Sequence, residues 1–221
     1  MEASSGLSLT FQTGRALLRA PLAWRVKQWT LFAILVVTIH LTWSHKRALQ
    51  GHVQGVGGEV PRTIASIINL IGGGFSMTVL GVVAFVVGRV FRIQRLAVGA
   101  LVFGAAGVWC FLLTQTGQLL LAERRPIFGG AMRYLALDGH GISGHASAAA
   151  LLFFPVRDVV LRTSTRTVRD LVAVLLFSWS LLVAVSRVWM GMHYVWNVAF
   201  GLALGWWTGF VAVSVANDTR R

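Results

Sequence analysis

Ser186-Arg187-Val188-Trp189-Met190-Gly191-Met192-His193-Tyr194-Val195-Trp196-Asn197 joins two long apolar runs. It sets an arginine, a histidine and a carboxamide where the chain should leave one membrane helix and enter the next. With Tyr194 onward helical, His193 and Asn197 stand at i and i+4, one turn apart on one face. That spacing would let Asn197 reach the imidazole and fix its orientation. A loop with an interfacial Arg and His is the plainer reading, yet a greasy core needs none of the three. Two other polar islands share this character, Gln118 to Pro126 and Asp138 to His145. The expectation is that all three meet at one phosphate-handling site at a membrane surface.

Composition agrees with a membrane setting. The 221 residues are 56% hydrophobic and only 12% charged, where a soluble domain would carry about a quarter charged residues. Mean hydropathy is +0.70. The net charge of +13 does not point to nucleic acid, because the basic residues punctuate hydrophobic runs instead of forming a block. The single cysteine, Cys110, excludes an intrachain disulfide and a cysteine-based metal cluster, and reads as a small packed residue.

A hydrocarbon core about 30 Å thick needs roughly 20 apolar residues in a helix. Six runs qualify or come close: Trp29–Trp43, Ile64–Gly88, Leu96–Ala122, Ile142–Val156, Leu171–Ser186 and Tyr194–Asn217. The first is short and needs snorkelling by Lys46 and Arg47. It is read as retained, since no small-residue cleavage pattern follows it. The fourth should extend beyond Pro155. Glycines fall mostly inside these runs, where small residues let helix backbones approach closely. No repeat or linker marks a second domain. The expectation is an all-α, polytopic bundle of six transmembrane helices, a single domain over residues 1–221 with a cytoplasmic tail at 1–28.

Counting Lys and Arg on the two sides of six helices gives thirteen against seven. The positive-inside rule then places both termini in the cytoplasm. All three polar islands fall on the outer side.

Each island suits an anion. Pro126 disfavours helix at Arg125, so the helix should end with that guanidinium at the interface. There it could bind phosphate bidentately or serve only as an anchor. Ser143 is a candidate N-cap. The free N–H groups of the following helix start, with Gly144 allowing close approach, make an anion site beside His145. A serine-capped helix with an interfacial histidine is the alternative. Arg187 could neutralise phosphoryl oxygens while His193 serves as nucleophile.

At this point the chain resembles the membrane-bound type 2 phosphatidic acid phosphatases (PAP2), related to vanadium haloperoxidases. That family's motifs are Lys-x6-Arg-Pro, Pro-Ser-Gly-His and Ser-Arg-x5-His-x3-Asp. Here they read Gln118-x6-Arg125-Pro126, Ile142-Ser143-Gly144-His145 and Ser186-Arg187-x5-His193-x3-Asn197, all between residues 118 and 197. The resemblance covers roughly residues 60–215. It implies an integral-membrane enzyme that acts on a lipid phosphate or pyrophosphate without metal or other cofactor. His193 would attack phosphorus and carry a phosphohistidine. His145 would protonate the leaving oxygen and then help water attack. Gln118, Arg125, Ser143, Gly144 and Arg187 would hold the phosphate, and Asn197 would belong to the catalytic set.

Three positions depart from the family pattern. Ile142 for Pro is mild. Gln118 for Lys removes one positive charge while keeping donors. Asn197 for Asp removes the carboxylate that would stabilise a charged imidazole; the comparable change in serine proteases lowers turnover by about 10⁴. Restoring the acid should therefore raise hydrolysis if nucleophile charge is limiting. Two further readings stay open: a phosphotransferase with a lipid or sugar acceptor, and an inactive relative that binds phospholipid.

Overall fold

The computed structural model describes residues 62–121 and 141–218, together with the single positions Val37, His45, Lys46 and Ala48. All regular structure among them is helical. In chain order the helices are α1 (Arg62–Gly72), α2 (Gly74–Val90), α3 (Gln94–Leu121), α4 (Gly144–Leu151), a π-helical segment (Pro155–Val160), α5 (Arg166–Trp189) and α6 (Val195–Asp218).

Three of these, α3, α5 and α6, are long and apolar enough to cross a membrane, and α1 with α2 makes a fourth span if the bent pair is counted as one. The run expected as one helix over Ile64–Gly88 is therefore broken. The axis turns by 50° at Gly73, inside Gly72-Gly73-Gly74, where three glycines in succession weaken the helix. The run that begins at Ile142 does extend beyond Pro155. Proline has no N–H to give to the helical ladder, and the turn after it widens, with Leu161 N–H donating to the Val156 carbonyl at 3.0 Å. Of the first expected span, Trp29–Trp43, only Val37 is among the described residues, and it is helical.

Helix α4 sits at the centre of the described bundle. Ala146, Ala149 and Ala150 have no exposed surface. On one side Ala146 and Ala150 pack with Ala184, Val188, Val198 and Leu202 from α5 and α6. On the other, Leu151 and Leu152 pack with Met77, Phe103 and Ala106 from α2 and α3. Large apolar side chains such as Leu70, Phe75, Val82, Phe111, Leu119 and Leu171 point outward, as expected where the surroundings are lipid.

The seam between α4 and α6 depends on glycines one turn apart. A Cβ on Gly201 would lie 2.5 Å from the Ser143 carbonyl, and one on Gly209 would lie 3.0 Å from that of Leu151. One on Gly205, between them, would run into the Ser147 carbonyl. With no side chains on that stripe, the two backbones touch directly. This fixes the start of α4, at Ser143, against the start of α6, at Asn197.

Helix α3 measures the distance between the two ends of the bundle. Arg95 near its start contacts Thr163 in the basic turn before α5. Gln118 near its end contacts Ile142. At 1.5 Å per residue these two points are about 35 Å apart. Gln118 and Ile142 thus lie at the opposite end from the arginine-rich turns.

Candidate functional site

The turn that carries His193 is set by local backbone chemistry. Helix α5 ends in a Schellman arrangement: Met192 N–H donates to the Arg187 carbonyl at 3.1 Å and Gly191 N–H to that of Val188 at 3.0 Å. Gly191 takes the left-handed conformation this requires, with φ +68°. His193 N–H also donates to the Arg187 carbonyl, at 3.3 Å. Arg187 therefore holds the backbone of His193 while its own side chain turns inward. Both side chains are buried, at 7% and 6% exposure.

Helix α6 begins at Val195, so His193 precedes it and does not share a helical face with Asn197. Asn197 instead closes the N-terminal half of a capping box, its Oδ1 accepting from Tyr194 N–H at 2.8 Å. Its Nδ2 donates to the Gly141 carbonyl at 2.6 Å. Its backbone carbonyl accepts from Ser143 N–H at 3.1 Å. Asn197 is 3% exposed. The residue expected to orient the imidazole from one turn away thus clasps the second island with both its main chain and its side chain.

The first island reaches the same segment. Gln118 Nε2 donates to the Ile142 carbonyl at 2.9 Å. The two carboxamides that depart from the family motifs therefore grip consecutive carbonyls, Gly141 and Ile142. Between them they fix the chain just before α4. Arg125, Pro126, Asp138 and Glu123 lie outside the described residues.

Ser143 caps α4 as its position suggests, with Oγ accepting from Ala146 N–H at 3.4 Å. It is fully buried. Gly144 has room beside it, since a Cβ there would meet only Thr114, at an ordinary 3.7 Å. His145 is half-buried, and its imidazole lies over the break between α1 and α2. A Cβ on Gly73 would come within 3.2 Å of its Nε2.

Three residues that sequence reading did not assign to the site border it. Asn69 of α1 accepts from Arg187 Nη1 at 3.3 Å. Gly73 makes space for His145. Lys46 Nζ lies 5.5 Å from the centre of the Tyr194 ring, the neighbour of His193. Asn69 did carry a signal: it is a carboxamide within a run otherwise free of charge, and polar groups in membrane helices face the protein interior. Lys46 and Gly73 carried none.

Taken together, these features define an integral-membrane helical bundle with a buried His–Arg site at one end, built from the starts of two helices and the end of a third. Residues 126–221 match the PAP2 superfamily. Its backbone is similar to the first transmembrane PAP2-type phosphatidylglycerolphosphate phosphatase from Bacillus subtilis, with a TM-score of 0.72 at 19% identity over 87% of this chain and 96% of that one. It is also similar to Aquifex aeolicus LpxE, with a TM-score of 0.54 at 15% identity over 76% of this chain and 94% of that one. At these identities the likeness is one of fold.

Proposed function

We propose that the protein is a lipid phosphatase of the PAP2 type, removing phosphate from a lipid phosphate or pyrophosphate through a phosphohistidine. The observation that carries this reading is the junction at the end of the bundle. Buried Arg187 and His193 share one turn, and Asn197 ties that turn to the capped start of α4 next to His145. The similarity to a phosphatidylglycerolphosphate phosphatase supports the substrate class.

In this mechanism His193 attacks phosphorus in line with the lipid oxygen, and the P–O bond breaks as the P–N bond forms. His145 gives its proton to the leaving oxygen, then takes one from the water that hydrolyses the phosphohistidine. Arg187 and Arg125, with the N–H groups at the start of α4, neutralise the phosphoryl oxygens in a site shielded from bulk water. Ser143 and Gly144 shape that helix start, while Gln118 and Asn197 hold the segment leading into it.

Six spans with both termini in the cytoplasm would put the site at the outer face of the cytoplasmic membrane. The separation of the site from the arginine-rich turns at 89–95 and 157–170 supports that sidedness. Cysteines introduced near Ser4 and Arg133 should label from opposite sides; labelling of both from one side would overturn the topology.

The deciding experiment is phosphate release from a panel of lipid phosphates by the purified protein in detergent, beside the His193→Ala variant. Full activity in that variant would end the phosphohistidine mechanism. A second reading, a phospholipid-binding relative without turnover, is favoured by one observation: the carboxamide of Asn197 stands where the family pattern has a carboxylate. Binding of lipid phosphates with no transfer to water or to any offered acceptor would select it. Label passing between lipids with little free phosphate would instead mark a phosphotransferase.

A further inference from the structure

We propose that Asn69 is a positioning residue for the anion site, acting through Arg187; the proposal rests on the phosphate-binding role given to that arginine. Asn69 lies on α1, outside all three motifs, and is 7% exposed. Its Nδ2 donates to the Ala65 carbonyl at 2.7 Å and approaches Met190 Sδ at 2.8 Å. Its Oδ1 accepts from Arg187 Nη1 at 3.3 Å. Two donor hydrogens and one acceptor are thus all engaged. The amide cannot turn over without setting its oxygen against the Ala65 carbonyl. The direction of the guanidinium is therefore anchored to the backbone of α1.

The chemistry of the partner matters as much as its position. A buried guanidinium needs an acceptor, and an acidic side chain would be the strongest one. It would also cancel the charge that a phosphoryl group requires. A carboxamide accepts one hydrogen bond, uses one of five N–H donors, and leaves the positive charge whole. Two of the three Asn69 contacts go to residues of the turn that carries His193, Arg187 and Met190. A carboxamide present only to satisfy α1 would need the Ala65 bond alone.

The test is a double-mutant cycle read by inorganic phosphate, as an inhibitor of lipid-phosphate hydrolysis and as a ligand in equilibrium binding, on full-length protein in detergent. Asn69→Ala should weaken phosphate binding by about tenfold, the effect of losing one hydrogen bond to a charged group. The pH profile of hydrolysis should not move, since Asn69 does not titrate. In an Arg187→Ala background the same substitution should have no further effect, because the two act as one unit. Asn69→Asp, of equal size, should weaken phosphate binding at least as much by neutralising the guanidinium. Phosphate affinity unchanged in Asn69→Ala, or a loss carried undiminished into the Arg187→Ala background, would overturn the proposal. Should Asn69→Ala yield no folded protein, Asn69→Asp decides, and unchanged affinity there overturns it. Wild-type protein that binds no phosphate would overturn both this and the function on which it rests. Wild-type binding and hydrolysis with indifferent Asn69 variants would overturn this alone.

Discussion

The Asn197 carboxamide donates to the Gly141 carbonyl at 2.6 Å, across the seam between the starts of α6 and α4. A carboxylate there would set oxygen against oxygen. Asn197→Asp is therefore expected to lower both thermal stability and lipid-phosphate turnover, the reverse of what restoring the family residue suggests. A buried acceptor without a donor costs about 1–3 kcal/mol. Thermal unfolding in detergent, beside turnover, measures both effects. Higher turnover with unchanged stability would show that the missing charge matters more than the clasp.

Gln118 should respond to shape and charge separately. Gln118→Met keeps the length but loses the donor to Ile142, and turnover is expected to fall several-fold, about the effect of one neutral hydrogen bond. Gln118→Lys keeps a donor and adds charge, so phosphate should inhibit more strongly than in wild type. Equal kinetics in all three proteins would remove Gln118 from the site.

Binding and chemistry should come apart between His193 and Arg187. His193→Ala is expected to abolish turnover while lipid-phosphate binding persists. His145→Ala should lower turnover by about 10²–10⁴, the range for a lost general acid. Arg187→Ala should weaken binding itself, since it removes a permanent charge. Equilibrium binding beside turnover on the single variants reads all three. Binding lost in His193→Ala and kept in Arg187→Ala would invert the assignment.

The glycine stripe gives a contrast that needs no substrate. Gly205→Ala puts a methyl group into the Ser147 carbonyl, and a marked drop in thermal stability is expected. Gly74→Ala meets nothing within 4 Å, and should be neutral or slightly stabilising by helix propensity. Unfolding midpoints of the two variants decide it. Equal midpoints would mean that α4 and α6 can part at little cost.

Much of this arrangement was legible in sequence because it rests on short-range rules. Apolar run length marked α3 and α6. Ser143 at the head of an apolar run is a local cap signal. What escaped detection is set by contacts between distant residues. Whether Asn197 reaches His193 or Gly141 turns on where α6 begins, and a one-residue shift in that start takes the histidine off the helix. Asn69 and Arg187 stand 118 positions apart, and no periodicity links them. The break at Gly73 could not be told from close packing, since glycine serves both.

The seam between α4 and α6 also bears on how the protein is made. His193 and Asn197 enter the chain after every other motif residue, and Asn197 supplies the clasp on Gly141 and Ser143. Until α6 docks its bare glycine face, the earlier segments hold only an untied helix start and an arginine turn. The growing chain in the membrane therefore lacks the joined His–Arg turn and α4 start until α6 is in place.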